Sequence, residues 1–132
     1  MTDFIFVYGL LKSIYDNEAA LFIRQHCSLI GTGTIPGRLF DLGNYPGVVY
    51  EADAETIVLG EVFKIHSNKD ELISYLDDFE ECGPEFDQPN EYRKEIIPVS
   101  VNGAIYQASS YIYNRNLDGL KLHLTALVPL LN

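Results

Sequence analysis

Apolar and polar positions along this chain fall into alternating, helical and punctuated stretches that lay out its elements in order. Residues 3–8 form a short run rich in Phe, Ile and Val that stops at Gly9, the pattern of a buried strand. Residues 16–26 place Ala19, Ala20, Phe22 and Ile23 at helical spacing, with Asp16 or Asn17 set to start the helix. Residues 28–40 turn to Ile, Thr and Gly, and Gly31, Gly33 and Gly37 suit bends or bulges in a curved strand. A loop is expected over 41–47, around Gly43, Asn44 and Pro46, before an extended run at 48–50 and a turn at 53–55. Residues 56–65 alternate as a strand, with Ile57, Leu59, Glu61 and Phe63 on one side and Val58, Val62 and Lys64 on the other. A second helix is expected over 67–78, capped by Ser67 or Asn68, with Asp70 in its first turn and Leu72, Leu76 and Phe79 at helical spacing. Residues 82–90, with Gly83, Pro84 and Pro89, form an irregular loop long enough to carry function. Residues 92–101 and 104–113 flank Asn102-Gly103, the preferred pair for a type I′ turn, and so predict a hairpin. The Leu-rich residues 116–132 fit either a short helix before Pro129 or a last strand. This order predicts an α+β fold, a mixed and strongly curved sheet with two helices, in a single domain over 1–132.

Composition narrows the partners. The formal net charge is −10, and the 9 Lys and Arg are scattered, which argues against nucleic acid and anionic membrane surfaces because phosphate binding needs clustered cations. Nine Tyr and seven Phe supply the bulk that a chain without Trp otherwise lacks. The N-terminus has neither the basic region nor the apolar run of a secretory signal, so a cytoplasmic location is expected. Cys27 and Cys82 have no metal or redox spacing, and both are expected to be thiols.

One stretch breaks a local preference. Asp77, Asp78, Glu80 and Glu81 crowd the end of the second predicted helix, where the macrodipole disfavours carboxylates and no Lys or Arg offsets them. Such a breach points toward a functional site. Elsewhere the usual nucleophile and metal systems find no support. His26, His66 and His123 share no ligand spacing, no Ser sits in a nucleophile elbow, and no Gly-rich loop precedes a helix with a phosphate-binding Lys. Carboxylates, tyrosines and main-chain amides remain. The second candidate is Tyr8-Gly9-Leu10-Leu11, where a strand stops at a Gly and the following amides can form a nest for a carboxylate.

Phe6-Val7-Tyr8-Gly9-Leu10-Leu11-Lys12 resembles the Val-Tyr-Gly-Thr-Leu-Lys signature of the gamma-glutamyl cyclotransferase-like superfamily. Gly37-Arg38-Leu39-Phe40 with Tyr45-Pro46-Gly47, Gly60-Glu61-Val62-Phe63, Leu76-Asp77-Asp78-Phe79-Glu80 and Tyr92-Arg93 resemble further family segments in the family's order. The Leu-Asp-Asp-Phe-Glu form is most similar to the gamma-glutamylamine cyclotransferase, AIG2-like branch. The resemblance implies a small, irregular mixed β-barrel flanked by helices. It implies a proton-carrying acid/base at Glu80, a substrate carboxylate and amine held near Tyr8, Gly9, Leu10 and Leu11, and Tyr92 lining the same pocket. It also implies a small gamma-glutamyl substrate and neither metal nor organic cofactor. Oligomeric state is not given by the sequence.

Leu10 departs from the family, standing where Ser or Thr is common. That departure keeps open an alternative, a catalytically silent module that binds an amino-acid-like ligand on the same fold. Asp77, Asp78 and Glu81, with an apolar wall of Leu76 and Phe79, are expected to raise the pKa of Glu80. Asp77 and Asp78 are themselves expected to be exposed or to cap loop amides. Glu81 is expected to point away from Glu80, and Tyr45 and Tyr113 are weaker pocket candidates.

Overall fold

The computed structural model describes residues 2–8, 17–42 and 46–122. Its elements run β1 (Phe4–Val7), α1 (Glu18–His26), β2 (Cys27–Asp41), β3 (Pro46–Tyr50), β4 (Ile57–Ile65), α2 (Lys69–Phe79), β5 (Tyr92–Val101), β6 (Ala104–Tyr113) and β7 (Lys121–Leu122). Strands β2, β4, β1, β6 and β5 close into a mixed barrel, with β3 and β7 paired to the far end of β2. All pairings are antiparallel except that of β1 with β6, where Phe4 and Ile5 lie beside Ala108 and Ser109.

The local rules explain most of these elements. In α1, the Asn17 side chain accepts a hydrogen bond from the Ala20 N–H at 2.8 Å, while Arg24 and His26 complement the dipole in the last turn. The β5–β6 hairpin turns on Asn102 at φ +49° and Gly103 at φ +86°, both in the left-handed region that a type I′ turn requires. Strand β2 is the longest because it serves two ladders, with β4 along its first part and with β3 over its last five residues. A register shift between Leu29 and Gly31 supplies the bend. Gly60 marks a close approach, since a Cβ there would lie 2.4 Å from the Val7 carbonyl oxygen and 2.6 Å from the Phe6 ring.

Alternation along the strands divides the core into two layers. Phe6, Ile35, Leu39, Val58, Val62, Val99 and Ile112 pack inside the barrel. Ile5, Val7, Phe63, Ile65 and Tyr111 face outward beneath Ala19 and Ile23 of α1 and Leu72, Ile73 and Leu76 of α2. The two helices meet at Phe22 and Tyr75, whose rings lie 4.7 Å apart, and at a 2.9 Å contact between His26 Nδ1 and Ser67 Oγ.

Two expectations change. The loop over 41–47 is shorter than expected, because Asp41 pairs with Pro46 and Phe40 with Gly47, leaving only Leu42 and residues 43–45 between strands. Pro46 is tolerated as the first residue of its strand. Asn68 occupies the N-cap of α2 in a left-handed conformation, but its side chain reaches Glu71 and caps no amide, while Ser67 is engaged by His26. Residues 117–120 make a turn, with the Leu120 N–H donating to the Leu117 carbonyl, and a short strand β7 follows. The expected start at Asp16, the Gly43-Asn44-Tyr45 segment, His123 and the rest of the C-terminal stretch lie outside the described residues.

Candidate functional site

The acidic end of α2 closes in a defined geometry. The Glu80 N–H donates to the Leu76 carbonyl at 2.9 Å, the Glu81 N–H to Asp78 at 3.1 Å and the Cys82 N–H to Asp77 at 2.8 Å. This is the Schellman arrangement, which puts one residue in the left-handed region and usually recruits glycine there. Here that residue is Glu81, at φ +52°, and its side chain is exposed. The chain reverses at Glu81, so Glu80 is the last residue of the helix end, half-buried at the C-cap.

Burial pushes the Glu80 carboxyl up from 4.5 to about 7, and the charge of Glu91 adds to the effect. The direction agrees with the sequence-based expectation, but the causes differ. Leu76 is buried, whereas Phe79 is 40% exposed and walls nothing off. The like charge that matters comes from Glu91, just before β5, rather than from the adjacent acids.

Asp77 also departs from expectation. It is neither a free surface acid nor a side-chain cap. Its Oδ1 accepts the Tyr111 hydroxyl at 2.7 Å, and both carboxylate oxygens lie 3.0 Å from Lys94 Nζ. Lys94 and Tyr111 are register partners on β5 and β6, so the hairpin holds the helix end from two adjacent strands. Burial and the Asp77 contact raise the Tyr111 phenol well above the ordinary tyrosine range, and Glu80 adds to that shift.

The tyrosines expected at the site are tied into the same region. Tyr8 donates its hydroxyl to the Tyr111 carbonyl at 2.5 Å. Its phenol is raised by burial and then by Glu80 and Glu91, against an opposing main-chain hydrogen bond from Val48. Tyr92 is buried and donates to the Pro46 carbonyl at 2.8 Å, while its ring meets Tyr113 edge-on with centroids 6.1 Å apart. Both hydroxyl protons are therefore committed to main-chain carbonyls, and the two tyrosines hold β3, β5 and β6 around the helix end. Gly9, Leu10, Leu11 and Tyr45 lie outside the described residues.

The segment over 82–90 is pinned by Asn90. Its Oδ1 accepts from the Gly83 N–H and its Nδ2 donates to the Gly83 carbonyl, both at 3.0 Å. This clamp ties the base of the loop next to Glu91. Among the described residues, no three His, Cys, Asp or Glu side chains are grouped to hold a metal ion, and no helix is long and apolar enough to cross a membrane. Cys27 and Cys82 are free thiols.

Sequence reasoning missed Glu91, Lys94 and Tyr111. The Asn102-Gly103 turn fixes the hairpin register and so places Lys94 opposite Tyr111, but nothing local shows that α2 docks above that pair.

The closed five-stranded mixed barrel with its extra strands and two helices is the gamma-glutamyl cyclotransferase-like fold of its structural neighbours. The chain belongs to the gamma-glutamyl cyclotransferase, AIG2-like family, whose model matches residues 5–126. Among solved structures it is similar to an AIG2-like protein from Mus musculus, at 26% identity and a TM-score of 0.68, covering 92% of this chain and 85% of that one. It is also similar to YtfP from Escherichia coli, at 31% identity and a TM-score of 0.59, covering 90% and 89%. YkqA from Bacillus subtilis gives 28% identity and a TM-score of 0.63 over 86% of this chain, which spans only 36% of the length of YkqA. Among curated protein sequences, none matches.

Proposed function

We propose that this protein releases 5-oxoproline and a free amine from a small gamma-glutamyl amine or peptide, with Glu80 carrying the protons. The observation that carries this reading is the Glu80 carboxyl itself, half-buried and pushed up to about 7 in a chain of the gamma-glutamyl cyclotransferase, AIG2-like family. A gamma-glutamyl compound contains its own nucleophile. Glu80 takes a proton from the α-ammonium, and the freed amine attacks the γ-carbonyl carbon to form the lactam C–N bond. The bond to the departing nitrogen then breaks as Glu80 returns the proton to that nitrogen, and the new lactam nitrogen gives up its second proton, by way of the regenerated Glu80 carboxylate, to the released amine. A group that titrates near neutrality suits both halves of this exchange. Folding the substrate into its five-membered closure supplies much of the remaining acceleration, and no enzyme nucleophile is needed.

The stretch Tyr8-Gly9-Leu10-Leu11 is assigned in this reading to the substrate carboxylate and amine, through main-chain amides, and Tyr92 to the pocket wall. Loss of a Ser or Thr hydroxyl at Leu10 then removes one hydrogen bond of about 1 kcal/mol net, not the site.

The test is 5-oxoproline release from a panel of gamma-glutamyl amines and dipeptides by the parent and by Glu80→Gln, which keeps the shape and removes the proton carrier. The parent is expected to turn over at least one substrate, and the folded variant to lose at least about 100-fold in kcat. A parent that releases nothing, yet is stabilised against heat by a gamma-glutamyl ligand, replaces this reading with the silent binding module. Release of free glutamate in place of 5-oxoproline indicates hydrolysis by external water.

A further inference from the structure

We propose that Asp77 is a positioning residue, held by Lys94 and Tyr111 so that the end of α2 presents Glu80 to the reacting groups; this rests on the proton-carrying role proposed for Glu80. Asp77 and Glu80 are three residues apart on the same helix end, so fixing one fixes the other. A helix C-terminus ordinarily frays, and this one has no cation in its last turn to oppose the dipole. The missing cation is supplied from the barrel. Lys94 Nζ lies 3.0 Å from both Asp77 oxygens, and the Tyr111 hydroxyl reaches Oδ1 at 2.7 Å.

Each grip is itself anchored. Lys94 and Tyr111 are cross-strand partners in an unbroken hairpin ladder, and Tyr111 is buried in the layer beneath the helices. The Tyr111 carbonyl accepts the Tyr8 hydroxyl, so the same residue that holds Asp77 also holds the end of β1. The Asp77 carbonyl in turn accepts the Cys82 N–H, which fixes the reversal after Glu80. Three segments expected to meet the substrate, the end of β1, the end of α2 and the start of β5, thus share one set of contacts around Asp77.

Charge and position are separable by experiment. Among the described residues, the charged and titratable groups that interact with Glu80 are Glu91 before β5, Tyr8 at the end of β1, Tyr111 on β6 and Cys82 after the helix, and Asp77 binds Tyr111 and Lys94. Removing the Lys94 cation alone does not lower the Glu80 titration midpoint if Glu80 stays in place, because loss of a positive charge can only favour the neutral acid. Releasing the helix end to water lowers that midpoint instead.

The experiment follows the Glu80 carboxyl by NMR titration and 5-oxoproline release in the parent, Tyr111→Phe and Lys94→Met/Tyr111→Phe. In the double variant the midpoint is expected to fall by about one pH unit or more, toward the ordinary glutamate range. With it, kcat is expected to fall about tenfold or more, while KM stays within about threefold. Tyr111→Phe, which keeps the buried ring and both charges, is expected to shift the midpoint and kcat in the same direction by less. A midpoint unchanged or raised in the folded double variant overturns the proposal, since a merely structural bridge lowers thermal stability without moving Glu80. If the double variant does not fold, Tyr111→Phe decides by the same readings. If the parent releases no 5-oxoproline, the proposed reaction fails, and the NMR midpoint still decides whether Asp77 sets the position of Glu80.

Discussion

Glu80 holds its proton to about pH 7 in the folded chain, whereas an ordinary glutamate releases it near 4.5. Between those values the native state binds more protons than the unfolded state, so this group's effect on stability is unfavourable as pH rises through the window, and constant above it. The shift corresponds to at most about 3 kcal/mol. Glu80→Gln is therefore expected to be more stable than the parent at about pH 8, by up to about 3 kcal/mol, and nearly equal to it at about pH 4. Urea unfolding at the two pH values checks this, and equal stabilities at the higher pH refute it. The next residue carries a different kind of strain. Glu81 sits at φ +52° in a position where the Schellman turn favours glycine. Glu81→Gly is expected to raise stability by about 1 kcal/mol without lowering 5-oxoproline release, because the exposed side chain has no assigned role.

At the scale of elements, fit between strands is set by small residues at crowded points. Gly60 on β4 faces the Val7 carbonyl and the Phe6 ring across the β1 ladder. Gly60→Ala is expected to destabilise the protein by about 1–3 kcal/mol, measured by thermal or chemical unfolding, because main chain rather than a flexible side chain must move. The elements most legible in the sequence are those whose rules are local. The Asn102-Gly103 turn fixed both hairpin strands at the residues observed, and the apolar spacing of Ala19, Ala20 and Ile23 gave α1. What stayed hidden depends on distant partners. The pairing of Asp41 with Pro46 overrode loop-forming residues, and the left-handed Asn68 displaced an expected side-chain cap. At the site, the family resemblance singled out Glu80, and its neighbours predicted the direction of its shift. Glu91, Lys94 and Tyr111 come to it from another part of the chain, through a docking that no local pattern encodes.

At the scale of the whole molecule, the arrangement is dominated by pairings between remote segments. The first strand lies between β4 and β6, and its parallel ladder with β6 joins Phe4 to Ala108 across almost the entire described chain. Such topologies fold slowly, because the loop entropy must be lost before the contact forms. Closure of the ring is uneven. Strands β2 and β4 share a long ladder, as do β5 and β6, but β2 meets β5 at a single rung, Thr34 opposite Ser100. That rung is a seam. Local opening follows the weakest junction, so the barrel is expected to part between β2 and β5 while its other ladders stay intact. In native-state hydrogen exchange, main-chain amides flanking Thr34 and Ser100 that face the seam should exchange ahead of those in the β5–β6 ladder, at a free energy below that of global unfolding. The barrel then behaves less as a closed cylinder than as a rolled sheet held shut along one edge.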